Sequence, residues 1–153
     1  MRATAPASSA NLGPGFDVLA VAVSLHVEVT VEPADELLVT TEGEGSDLPQ
    51  DSSHLAAVVA TSVAGHDRLR IAVRSEIPVG RGLGSSAALA LAAAAAAGSA
   101  DALAVAARFD GHAENAAASM AGGLVAASFV DGRPVVRSLN LDPGLAFVLL
   151  IPD

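Results

Sequence analysis

Apolar and polar positions change their rhythm along the chain, and each rhythm predicts an element. Residues 1–10 (MRATAPASSA) are small and polar, and lead into Asn11-Leu12-Gly13-Pro14-Gly15-Phe16-Asp17, a tight Gly/Pro loop. From Val18 the pattern becomes β-like, clearest where Val27, Val29 and Val31 alternate with Glu28, Thr30 and Glu32. Leu37 to Thr41 reads as the next strand, followed by an acidic solvated loop from Glu42 to Asp51. Asp51-Ser52-Ser53 supplies capping side chains for a helix from His54 to Ala64, ended by Gly65. Leu69, Ile71 and Val73 alternate with Arg68, Arg70 and Arg74 in a half-exposed strand that Pro78 stops.

The second half turns helical. An Ala/Leu run of high helix propensity begins at Ser85 and breaks at Gly98-Ser99. Asp101 to Phe109 starts a further helix, and after Gly111 a short one covers Glu114 to Ala121, closed by Gly122-Gly123. Leu124–Val130 and Arg133–Leu139 read as strands joined by Asp131-Gly132, a favourable hairpin turn, and Leu145–Ile151 as a last strand. Strands at both ends and helices between them predict an α+β layered fold. The chain stops at Leu149-Leu150-Ile151-Pro152-Asp153, directly after that strand, which predicts a domain cut from something longer.

Composition narrows the partners. The 153 residues carry a net charge of 8 − 17 = −9, and all eight basic residues are Arg, scattered rather than clustered. Counterion displacement on nucleic acid and attraction to anionic lipid both need concentrated positive charge, and four Phe make a poor base-stacking platform. Neither a nucleic acid nor a membrane is expected as partner. The longest apolar run, Ala87 to Ala97, is about half of what a membrane span needs. No basic segment precedes an apolar one at the start, so a cytoplasmic location is expected. The absence of Cys excludes disulfides, thiol nucleophiles and Cys-ligated zinc.

Three segments can carry chemistry. In Ile77-Pro78-Val79-Gly80-Arg81-Gly82-Leu83-Gly84-Ser85-Ser86-Ala87-Ala88, a strand runs through a Gly-rich turn into a helix start. Such a turn lets backbone amides approach an anion, and the helix start adds free donors and about half a unit of positive charge. The same pattern also serves as a plain strand–helix turn with a Ser cap. A Walker A loop needs a Lys, and the chain has none; the G-x-G-x-G spacing is not the dinucleotide G-x-G-x-x-G either. Phosphate charge would therefore fall to amides, the helix dipole, Arg and a metal. In Pro6 to Asp17, Asn11 and Asp17 bracket a Gly-Pro-Gly turn, where they either face one pocket or merely cap the turn. In Asp110-Gly111-His112-Ala113-Glu114-Asn115, four polar groups stand amid alanines. Asp110 has metal-ligand chemistry, and His112 and Asn115 are spaced to share a helix face; a solvated first turn is the alternative.

Taken jointly, PASSANLGPGFDVLAVAVSLH, IPVGRGLGSSAA and GHAENAAASMAGG resemble the three motifs of the GHMP kinase superfamily, in the family's order, most closely its homoserine kinase branch. The resemblance spans essentially the whole chain. It implies a two-layer mixed sheet with helices on one face, like the ribosomal protein S5 domain 2-like N-terminal domain of these kinases. Residues 1–153 would be the ATP-binding domain, with the C-terminal substrate domain absent.

Position by position, it implies that Pro78, Val79, Gly80, Arg81, Gly82, Leu83, Gly84, Ser85, Ser86, Ala87 and Ala88 wrap the phosphates of ATP. Ser86 and Asp110 would hold Mg²⁺, and Asn11, Asp17, His112 and Asn115 would surround L-homoserine or a similar small amino alcohol. Asn115 and Asp17 would act on the reacting hydroxyl. Asn115 stands where other branches place an Asp base, which favours the homoserine branch. The implied activity is ATP-dependent phosphorylation of L-homoserine to O-phospho-L-homoserine, a step of threonine biosynthesis. Another small-molecule kinase of the superfamily and a non-catalytic nucleotide-binding fragment are the alternatives.

The chain departs from the family at several points. The usual H-P-D-N is H-A-E-N here, Asp110 replaces a Glu, and His54 stands where an Asn beside adenine is common. The stretch from Ala97 to Asp110 is shorter than usual. The missing half would supply the Arg partners of the substrate carboxylate. It would also cover the apolar face of the three terminal strands, whose exposure predicts self-association, at its simplest a homodimer.

Overall fold

A computed structural model describes residues 1–151. Among the described residues, six strands and four helices follow one another as β1 (Arg2–Leu12), β2 (Gly15–Pro33), β3 (Leu38–Gly43), α1 (Leu55–Ala64), β4 (Leu69–Ser75), α2 (Ser85–Ala96), α3 (Ala102–Asp110), α4 (Glu114–Ala121), β5 (Leu124–Val130) and β6 (Arg133–Leu139). All six strands belong to one mixed sheet, ordered β3-β4-β2-β5-β6 with β1 also paired to β2. The 19-residue β2 organises it. Antiparallel β1 follows β2 along most of its length, while β4 pairs with residues 27–33 and β5 with residues 19–21. Among the described residues, only the β3–β4 pair is parallel.

The alternation read in β2 and β4 sets the layers. Val27, Val29, Val31, Leu69, Ile71 and Val73 are buried on the face that meets the helices. The opposite face carries cross-strand charge pairs, Arg2 with Glu28 and Arg74 with Glu42. Glu42 raises the pKa of Arg74, first through its hydrogen bond and then through its charge. The two-layer α+β architecture follows from this division.

α2 is the hub of the helical layer. Ala87, Ala88, Ala90, Ala92, Ala93, Ala94 and Ala96 are all buried, so the helix is apolar all round, as a central helix must be. Its small side chains let α1, α3, α4 and the sheet crowd against it. No helix among the described residues is long and apolar enough to cross a membrane.

Three local expectations are corrected. Residues 2–12 are a strand rather than a polar lead-in: Ala5 and Ala7 point inward, and Pro6 sits at the register shift, where a missing N–H is tolerated. The α1 cap is His54, whose Nδ1 accepts from the Ala56 amide, while Asp51 spends its carboxylate on the Ser53 amide and hydroxyl. Leu145–Ile151 is not a strand, because it follows an Asp142-Pro143-Gly144 turn and forms no ladder with any described strand. Pro152 and Asp153 lie outside the described residues.

Candidate active site

The Gly-rich segment folds as the turn that its glycines require. Gly80, Gly82 and Gly84 have φ of 72°, 71° and 61°, the left-handed region where a Cβ is penalised. Gly84 is the residue before α2 and no side chain caps that helix. The first-turn amides of Ser85 and Ser86 are therefore left to an external acceptor, at the positive end of the dipole. Around them lies a cavity of about 560 Å³ lined by Ala10, Asn11, Val79, Gly80, Gly82, Leu83, Gly84, Ser85, Ser86 and Asn115.

The three predicted segments meet here. Ser86 Oγ donates to Asp110 Oδ1 at 2.7 Å, joining the start of α2 to the end of α3. Asn115, in the first turn of α4, lines the same cavity as the Gly-rich turn. Asn11 reaches its rim and also accepts from the Asp17 amide at 2.9 Å, so turn capping and cavity lining coexist in one side chain. Asp17 and His112 are exposed and do not line the cavity. Glu114 is 3% exposed and sits in the first turn of α4, where its charge complements the helix dipole.

Sequence reading missed two parts. Ser8 is wholly buried: its amide donates to Leu83 O at 3.1 Å and its hydroxyl to Asn115 Oδ1 at 3.0 Å. The Ser8 hydroxyl lies so close to Gly84 that a Cβ there would overlap it. The other part is a second cavity of about 380 Å³, walled by apolar side chains including Val27, Leu48, Pro49, Val73 and Leu89. Its polar points include Thr41, Ser53, His54 and Ser75. His54 Nδ1 accepts from Ala56, so Nε2 carries the proton and donates to Thr41 Oγ1 at 3.2 Å. Burial lowers the His54 pKa, against a smaller opposing pull from Asp51. No side chain announces this cavity in the sequence except His54, already notable as a departure from the family.

Val79, Ser85 and Ser86 line both cavities, so the two adjoin at the start of α2. An apolar chamber with a few polar points lies beside an amide-rich turn and a Ser–Asp pair, an arrangement outside the Walker and dinucleotide designs. The family model "GHMP kinases N terminal domain" matches residues 52–132. The chain belongs to the GHMP kinase family. It is 36% identical to a homoserine kinase from Caldanaerobacter subterraneus subsp. tengcongensis, over 97% of this chain and 52% of that protein. It is 40% identical to one from Corynebacterium diphtheriae, over 98% of this chain and 56% of that protein. The crystal structure of homoserine kinase from Cytophaga hutchinsonii superposes with a TM-score of 0.69 at 28% identity, covering 93% of this chain and 52% of the other. The chain thus spans about half the length of the relatives it matches.

Proposed function

We propose that residues 1–153 are the nucleotide-binding half of a homoserine kinase, which transfers the γ-phosphoryl group of ATP to the side-chain hydroxyl of L-homoserine. The carrying observation is that the two cavities meet at Ser85 and Ser86. A base fits the apolar chamber beside His54 and Thr41, and the phosphates then run over the Pro78–Ala88 segment to the side where Asn11 and Asn115 stand. The similarity to homoserine kinases supports homoserine as the acceptor. Asn115 in place of an acidic base favours that acceptor over those of other branches.

The residues fit Mg²⁺. A hydroxyl and a carboxylate oxygen 2.7 Å apart beside free amides are the hard oxygen donors that Mg²⁺ combines with phosphate oxygens. Ser86 and Asp110 would hold the ion, which would neutralise charge on the transferring phosphoryl group. The amides of Gly82 to Ser86 meet the phosphate oxygens. Asn115, which lines the cavity, orients the acceptor hydroxyl. With no strong base, rate enhancement rests on alignment and fixed dipoles, which suits a loose phosphoryl-transfer transition state.

A cytoplasmic biosynthetic role agrees with this chemistry. The apolar residues exposed on β5, β6 and 145–151 favour association with a further domain or a second copy. By family resemblance, the Arg side chains that meet the substrate carboxylate belong to the other half. The test mixes residues 1–153 with ATP, Mg²⁺ and L-homoserine and follows O-phosphohomoserine by mass spectrometry. Binding of ATP with negligible turnover is expected; turnover comparable with a full-length homoserine kinase would contradict the half-enzyme reading.

A further inference from the structure

Among the polar groups around the Gly-rich turn, Ser8 is unusual because it is wholly buried and yet touches both halves of the site. Its amide donates to Leu83 O in the turn, and its hydroxyl donates to Asn115 Oδ1 on α4, 107 positions away. Gly84 packs against the same hydroxyl, and a Cβ on Gly84 would also approach Asn115 Oδ1 to 3.2 Å. Three segments distant in sequence are thus spaced by one side chain.

The proton order within this cluster follows from Ser119. Ser119 is 3% exposed, and its hydroxyl points to Ser8 Oγ at 3.5 Å, its side-chain partner among the described residues. A buried hydroxyl must spend its proton, and Ser8 Oγ receives it. The Ser8 proton is then directed to Asn115, where only the carbonyl oxygen can accept it. No buried side-chain nitrogen or oxygen among the described residues is left without a partner.

We propose that Ser8 is a positioning residue that pins the Asn115 carbonyl and so turns the Asn115 NH₂ group into the cavity, as a hydrogen-bond donor toward the acceptor's oxygen. This rests on the reading of the cavity as the phosphoryl-transfer site, but the amide orientation is a property of the free protein and is tested separately. An amide free to flip would present a carbonyl half the time, repelling the lone pairs of an incoming hydroxyl or phosphoryl oxygen. Ser8 removes that ambiguity and, through Leu83, fixes the turn relative to the amide.

The experiment uses residues 1–153 labelled with ¹⁵N. The Asn115 side-chain pair is assigned by its disappearance in Asn115→Asp. In the wild type it should show fast exchange with water and no NOE to the Ser8 Hβ protons. In Ser8→Ala, it should lose its single environment by shifting or broadening, while the far-UV circular dichroism stays unchanged. Ser119→Ala, which leaves Ser8 in place but frees its hydroxyl to rotate, should produce the same change in weaker form. A wild-type NOE from the Asn115 amide protons to Ser8 Hβ would overturn the proposal without any variant, as would an Asn115 pair unchanged in a folded Ser8→Ala. Addition of Mg·ATP separates the two readings. If the Gly82, Ser85 and Ser86 amides fail to respond, the phosphate site is wrong, whatever the orientation of Asn115.

Discussion

The Ser86 hydroxyl and the Asp110 carboxylate, 24 positions apart in the chain, meet at 2.7 Å where α2 begins and α3 ends. The two helix ends differ in sign: α3 brings its negative C-terminal end and the Asp110 carboxylate to a cation, whereas the positive start of α2 favours the phosphate and Ser86 adds only a neutral oxygen beside free amides. Asp110→Asn keeps an acceptor for the Ser86 proton and removes only the charge. The Mg²⁺ concentration that half-supports ATP binding should rise about tenfold, the scale usual for perturbed metal sites. Calorimetric titrations of ATP at stepped Mg²⁺ check this. A uniform loss of affinity with no change in the half-point would mark Asp110 as merely structural.

The glycines of the turn separate stability from binding. A Cβ on Gly84 would overlap the Ser8 hydroxyl and strain a φ of 61°, whereas a Cβ on Gly82 meets nothing within 4 Å. Gly84→Val combines left-handed strain of about 1–2 kcal/mol with overpacking of about 1–3 kcal/mol. It should destabilise the fold by about 2–5 kcal/mol and lose ATP binding through the displaced turn. Gly82→Ala should cost about 1–2 kcal/mol of stability yet weaken ATP binding tenfold or more, because its methyl enters the open space proposed here for phosphate. Urea denaturation beside ATP titration reads both quantities.

His54 makes the apolar second cavity sensitive to acid. Its pKa is lowered in the folded protein by burial, so the unfolded chain takes up a proton that the folded chain resists. Stability from this group is complete above the ordinary His value near 6.5, and is lost as pH falls from there toward the lower folded pKa. Protonation would also remove the Nδ1 acceptor from the Ala56 amide and uncap α1. Thermal midpoints should fall between pH 7 and pH 5, and His54→Asn, which retains a capping side chain, should flatten that part of the profile. Asp51, whose pKa is lowered chiefly by Ser53, acts in a separate window, below its ordinary value of 3.8.

The exposed apolar end carries its own expectation. Val148 and Leu150 are 85% and 92% exposed, and Phe129, Val130 and Val135 on the last hairpin are exposed as well. A surface of this kind associates. Light scattering on residues 1–153 should give a mass above that of the monomer, and Val148→Asp with Leu150→Asp should reduce it.

Elements with strong contrast were legible in the sequence. The Asp131-Gly132 hairpin and the helix from Glu114 to Ala121 match β5, β6 and α4 in the structure, because turn chemistry and apolar runs agree there. β1 was not legible: its inward residues are Ala5 and Ala7, too small to stand out from the Thr and Ser around them. Leu145–Ile151 misled in the other direction, since an apolar run becomes a strand only when a neighbouring edge pairs with it. Within the site, the Gly-rich turn was visible because glycine spacing is a local signal. Ser8 and Thr41 were not, because their roles depend on partners that only the fold brings near.

The central claim is that the Gly-rich turn at the start of α2 holds the phosphates of ATP. It is tested most directly by isothermal titration of residues 1–153 with Mg·ATP, beside Gly82→Ala. One-to-one binding by the wild type, weakened tenfold or more in a Gly82→Ala variant that remains folded, is the expected result. Equal affinity in the two proteins, or no heat from the wild type at millimolar nucleotide, would contradict it.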